Sequence, residues 1–164
     1  MILGVLLAID PGKSSATFSV SHIFVERVEG TVPIVTGTID LPDGSTVPTR
    51  VEATLDPTRL HTDEPDRDAA LRGSQWFDTE RFPIWTFAST MIVTTAAGFT
   101  MEGILTIHGV SQLERLDVVT RGTRDRPTYR AIARIDRHAF GMEKTRLDPV
   151  IGNVVDVTLD ISVK

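Results

Sequence analysis

The amino-acid sequence predicts an all-β domain, a sandwich or a barrel of antiparallel strands, with one short helix. Three observations predict it. Apolar and polar residues alternate with period two in one segment after another, which gives each strand one dry and one wet face and marks antiparallel rather than buried parallel sheet. Such segments recur at intervals of about a dozen residues with turn residues between them, the spacing of sandwiches and barrels. A single stretch, near 61–73, drops the alternation and carries helix start and stop signals instead.

Residues 1–8, MILGVLLA, are apolar but lack a basic leading region and a small-x-small cleavage site. They run straight into Ile9-Asp10-Pro11, so they read as a short first strand or a leader to one. Ala16, Phe18 and Val20 then alternate with Thr17, Ser19 and Ser21. Val35, Gly37, Ile39 and Leu41 alternate with Thr36, Thr38 and Asp40, and Leu41-Pro42-Asp43-Gly44-Ser45 makes a turn. Val51, Ala53 and Leu55 alternate with Arg50, Glu52, Thr54 and Asp56. The helix is expected between about Pro65 and Arg72. Asp63 or Glu64 can cap it, Pro65 suits its first turn, Asp66 and Asp68 complement its positive end, and Gly73 suits its stop. A helix this short is not stable alone, so it must lie against the wall or the mouth of the sheet. Further strands are expected near 84–94, 99–110, 113–123 and 128–137, with turns at Ala97-Gly98 and Arg124-Asp125-Arg126-Pro127. The last strand sets Val155, Val157, Leu159, Ile161 and Val163 against Asp156, Thr158, Asp160 and Ser162.

The 164 residues are read as one domain spanning 1–164. Hydrophobic residues make up 41% and charged residues 24%, at a net charge of -5. A nucleic-acid surface needs clustered Lys and Arg. Only Arg121, Arg124 and Arg126 come close, and they sit with Gly122 and Pro127 in a solvated turn, so no nucleic-acid partner is expected. There is no cysteine, hence neither a disulfide nor thiolate chemistry. No run approaches the roughly 18 apolar residues of a membrane helix, so no stable membrane insertion is expected.

Candidate chemistry is sparse. His22, His61, His108 and His138 lie at long, irregular separations without the local pairing usual in a metal site, and no metal is expected. His108 and His138 read as residues that hydrogen-bond backbone at strand ends. No Gly-x-Ser-x-Gly elbow is present, and Ser74 and Ser111 beside glycines read as turn residues. The carboxylate pairs Asp63/Glu64 and Asp66/Asp68 are explained by the start of a helix. With no nucleophile, base and orienting group in a recognisable arrangement, the chain is not expected to be an enzyme or to need a cofactor.

The aromatic residues point elsewhere. Phe18, Trp76, Phe77, Phe82, Trp85, Phe87, Phe99 and Phe140 are spread over several elements. In a barrel their side chains either fill the interior or line a hole. Alternation turns Phe18 and Val20 inward on an early strand and Val51, Ala53 and Leu55 on the next. It turns Trp85 and Phe87 inward on a middle strand, Leu105 and Ile107 on its neighbour, and Ala133 and Ile135 late in the chain. Leu71, Trp76 and Phe77 close one end from the helix side, and Phe140 completes the set. These residues are the candidate apolar pocket.

Five groups of residues, in order, resemble a known family. They are Ile9-Asp10-Pro11 with Ser14 or Ser15 and Phe18; Arg67-Asp68 with Leu71, Phe77-Asp78, Pro83, Phe87 and Ser89; and the run Leu105-Thr106-Ile107-His108-Gly109-Val110. Ile135-Asp136-Arg137 with Phe140-Gly141 and the alternating C-terminal strand complete them. Together these resemble the YceI family over roughly residues 8 to 164. The resemblance implies an eight-stranded antiparallel lipocalin-like barrel, and an interior of that size is just wide enough for one ligand. It implies binding, storage or transport of a long apolar molecule (a polyisoprenoid, an isoprenoid quinone or a fatty-acyl amphiphile) and no catalytic mechanism. It also implies a stress-linked bacterial protein, cytoplasmic without a signal and periplasmic with one, and admits a homodimer. The expected place is the cytoplasm, the alternative being a periplasmic or secreted protein whose leader is missing from this chain. The alternative in function is a filled barrel acting through its outer surface. Three positions depart from the family pattern: Lys13 and Ala70 stand where histidine is common, and Trp76 stands where phenylalanine is.

Overall fold

The computed structural model describes residues 4–22, 25–142 and 151–164. Among them are ten strands: β1 Gly4–Ala8, β2 Ser15–His22, β3 Val25–Thr31, β4 Ile34–Pro42, β5 Arg50–Leu55, β6 Trp85–Thr94, β7 Gly98–Ile107, β8 Val110–Gly122, β9 Pro127–Asp136 and β10 Ile151–Ser162. One helix, α1 Pro65–Arg72, interrupts them. The strands form one antiparallel sheet in the order β1-β4-β5-β6-β7-β8-β9-β10-β2-β3. The sheet curls into a half-barrel around its apolar face. The isolated bridge Ile9↔Val163 joins the residues that follow β1 and β10, and Thr31↔His61 joins the end of β3 to the segment entering α1. Asp10 N–H donates to the Ser162 carbonyl at 2.8 Å beside the first of them.

Ten strands replace the expected eight. The additions are β1, for which the sequence allows a short strand or a leader, and β3, which alternation does not reveal. In β3 the apolar residues Val25 and Val28 stand three apart in the sequence, and its pairing with β2 shifts register between Val20 and His22. A bulge adds one residue and breaks period two. The same effect corrects β4. Alternation puts Val35 on the face of Gly37, Ile39 and Leu41, but it is 41% exposed whereas Ile34 is 5% exposed. The β4–β5 register shifts between Ile34 and Thr36, and a one-residue slip sends a side chain to the opposite face.

The helix occupies the expected residues. Glu64 is its cap, accepting from Asp66 N–H and Arg67 N–H at 3.2 Å each, and Gly73 N–H closes its end on the Ala70 carbonyl. Asp68 does more than complement a dipole. It is 3% exposed and accepts from Thr62 N–H at 2.8 Å and from the Thr62 hydroxyl, which pins α1 to the segment entering it. Replacing Asp68 by Ala leaves that N–H buried without an acceptor. A loss of about 2–3 kcal/mol is expected, measured by urea unfolding.

The β7–β8 connection is a two-residue hairpin. His108 (φ 56°) and Gly109 (φ 72°) both occupy the left-handed region that such a turn requires to match strand twist. His108 Nδ1 lies 3.3 Å from the Phe140 carbonyl, and its ring meets Phe82 edge-on at 5.0 Å. The buried side chains form two groups. One centres on Phe87, Phe99, Met101, Leu116, Val118 and Tyr129. The other, on the helix side, centres on Leu60, Trp85, Ile107 and Phe140.

Candidate functional site

Between these two groups the inward side chains leave a cavity of about 590 Å³. Its walls follow from strand alternation. Phe18 and Val20 of β2 line it, as do Val51, Ala53 and Leu55 of β5 and Trp85 and Phe87 of β6. Leu105 and Ile107 of β7 and Ala133 and Ile135 of β9 continue the wall. On the helix side Leu71, Trp76 and Phe77 line it together with Phe140, which is fully buried. Phe77 meets Trp85 edge to face at 4.8 Å. The Arg137 guanidinium lies 5.3 Å from the centre of the Trp76 ring and donates from Nε to the Gly152 carbonyl at 3.0 Å. At the opposite end Phe99 and Tyr129 pack edge to face at 5.8 Å. The Tyr129 hydroxyl donates to the Thr46 carbonyl at 3.0 Å, and burial pushes its pKa up to about 12.

The structure thus brings every residue of the candidate pocket to one cavity. Further residues line it as well: Phe99 and Met101 of β7, Leu116 and Val118 of β8, Ala131 of β9, and the inward face of β10. On β7 and β10 the signal was present, since the same alternation runs through Phe99, Met101, Leu105 and Ile107 and through Val155, Val157, Leu159 and Ile161.

On β8 the signal misleads. Leu113 is apolar yet 57% exposed, whereas its neighbour Glu114 faces the cavity. Register decides this. Gly103 pairs with Glu114, Met101 with Leu116 and Phe99 with Val118, so turning Leu113 inward would turn Leu116 and Val118 out. Burial raises the Glu114 carboxyl above its ordinary pKa, and the negative charge of Asp136 adds to the rise. With a folded pKa above the unfolded one, the native state binds more protons than the unfolded state in that interval, so stability falls as pH rises through it. Glu114→Gln is therefore expected to be more stable than the natural protein at pH 7. The advantage should vanish below about pH 4, where glutamic acid is protonated in both states; melting temperatures across that range check it.

The remaining candidates do not converge. His61 sits by α1 with Nε2 2.7 Å from Asp63 Oδ1, His108 lies in the β7–β8 hairpin, and His138 follows β9. The side chain of His22 lies outside the described residues. Among the described residues no three His, Cys, Asp or Glu side chains come together to hold a metal ion, and no helix is long and apolar enough to cross a membrane.

Comparison with known proteins gives a consistent picture. The sequence model of a family described as the YceI-like domain matches residues 7–163. Protein YceI of Escherichia coli O157:H7 is 26% identical over 110 residues, covering 67% of this chain and 58% of the relative. The chain thus spans somewhat more than half the length of that curated relative. The UPF0312 protein SAR2769 of Staphylococcus aureus strain MRSA252 is 29% identical over 120 residues, covering 72% of this chain and 67% of the relative. Among solved structures, BcnA of Burkholderia cenocepacia superposes with a TM-score of 0.84 at 19% identity, over 95% of this chain and 99% of that one. A polyisoprenoid binding domain from Saccharophagus degradans superposes with a TM-score of 0.71 at 16% identity, over 96% and 97%. At these identities the superpositions speak for the fold.

Proposed function

This chain belongs to the YceI-like domain family, and from that membership and its cavity we propose that it binds and carries a long apolar molecule in the curled sheet. The ligand class is a polyisoprenoid, an isoprenoid quinone or a fatty-acyl amphiphile. The observation that carries this reading is the cavity itself. About 590 Å³ falls within the range of ligand pockets, and the wall is contributed by inward apolar faces from most of the strands. A barrel acting only through its outer surface would fill that space with side chains at native density. The similarity to a fold whose Saccharophagus degradans member is a polyisoprenoid binding domain supports the chemical class.

The energetics suit a tail-first mode. An alkyl or prenyl chain that buries several hundred Å² gains on the order of 10 kcal/mol at about 25 cal/mol per Å². Ordering of the chain and loss of its free motion offset part of that gain. The wall residues act by excluding water and fitting the chain, so recognition of the tail depends on shape and length more than on direction.

Native mass spectrometry of gently purified protein tests the proposal. A non-covalent apolar mass beyond the 18.0 kDa chain, or uptake of prenyl or fatty-acyl probes by delipidated protein, is the expected result. No co-purifying mass together with no uptake of any probe sinks it and favours the surface-acting alternative.

A further inference from the structure

Among the described residues, three charged side chains line the cavity: Arg67, Glu114 and Arg137. The two cations are already engaged. Arg67 donates from Nε to the Thr62 hydroxyl at 2.9 Å and from a terminal nitrogen to the Thr62 carbonyl at 2.7 Å, and Arg137 is held by Gly152 and Trp76. The Glu114 carboxylate has no hydrogen bond or ion pair with any described residue, and the charge it feels across the wall, Asp136, has its own sign.

Its place in the sheet is also distinct. β8 pairs with β9 only from Asp117↔Ile132 to Gly122↔Pro127. From Leu116 back to Val110 it is paired with β7 alone. Below the last β8–β9 pair the wall is completed by the turn Arg137–Phe140, whose Ala139 carbonyl accepts from Gln112 Nε2 at 2.8 Å. Glu114 lies in this seam, between the end of the ladder and that turn. It is only partly buried, whereas the next inward residues, Leu116 and Val118, are 7% and 4% exposed. A carboxylate there accepts hydrogen bonds and cannot donate them, and without a donor its burial is unfavourable.

We propose that Glu114 is the headgroup contact of the cavity, selecting long apolar chains that end in an uncharged hydroxyl over chains that end in phosphate or carboxylate. The assignment rests on the carrier reading above and names the polar end of its ligand. A hydroxyl donates to the carboxylate and forms a charge-assisted hydrogen bond. An anionic headgroup brings a third negative charge to the seam, beside Glu114 and Asp136, in surroundings where like charges repel more strongly than in water.

The test uses geranylgeraniol and geranylgeranyl phosphate, which share one chain and differ at the head. Dissociation constants are measured at pH 7.5 with delipidated natural protein and with Glu114→Gln. The natural protein is expected to prefer the alcohol by about tenfold or more. The glutamine keeps an acceptor oxygen but loses the charge, so alcohol affinity should fall about fivefold while phosphate affinity rises about tenfold. A ratio that the substitution leaves unchanged, or a preference of the natural protein for the phosphate, overturns the assignment and leaves the carrier reading standing. If the natural protein binds neither probe, nor a fatty acid, both fall. Should Glu114→Gln bind nothing, the preference of the natural protein alone decides.

Discussion

Leu105→Trp is expected to abolish uptake of prenyl chains while leaving the fold intact. Leu105 faces the cavity from the middle of the wall, paired with Phe87 on one side and Gln112 on the other. A tryptophan pointing inward from there occupies the space of at least one five-carbon unit of a bound chain. Withholding that much apolar surface from burial costs about 3 kcal/mol of binding, more than a hundredfold in affinity. Stability should hold or rise, because the indole fills a void rather than displacing packed atoms. Prenyl-probe titration and thermal unfolding of the same preparation read both effects. If the indole lies inside and the probe binds as tightly as before, the ligand goes elsewhere.

A large loss of stability is expected from a substitution at Gly103. A Cβ added there meets the Phe87 ring, with its Cε1 at 2.6 Å, and the Ala88 carbonyl oxygen at 2.7 Å. The ring can swing toward the cavity, but the carbonyl belongs to the β6–β7 ladder and cannot. Gly103→Ala should therefore destabilise by about 2–3 kcal/mol, roughly 5–10 °C in melting temperature for a domain of this size. Shortening the ring with Phe87→Leu removes one of the two collisions. The double variant should lose less than the sum of the single ones, and full additivity would show that the ring is not the obstacle.

Much of this architecture is legible in the sequence, for reasons that can be named. The bounds of α1 follow from local chemistry that owes nothing to the rest of the fold: a capping carboxylate at Glu64, proline at the first turn, and glycine at the stop. The cavity wall follows from alternation, which for Phe18, Trp85, Phe87, Leu105 and Ile135 translates directly into an inward direction. What escapes is whatever long-range pairing decides. β3 is hidden because its valines stand three apart in the sequence. Val35 points outward because β4 slips against β5. Glu114 is inside because β8 must present Leu116 and Val118 to Met101 and Phe99. For Val35 and Glu114 local preference is overruled by a register set elsewhere in the sheet. The size of the hole escapes for another reason, since volume is a sum over all the inward side chains at once.

The cavity also couples this protein to mechanical compression. Unfolding a chain around an internal void releases that volume to solvent, and the larger the void the more pressure favours the unfolded state. With a cavity of about 590 Å³, delipidated protein is expected to unfold at lower pressure than protein loaded with a chain that fills the space. The midpoint of pressure unfolding, followed by tryptophan emission from Trp76 and Trp85 at the cavity wall, thereby becomes a gauge of occupancy. It reports how much of the hole a given molecule fills without any label on the molecule itself.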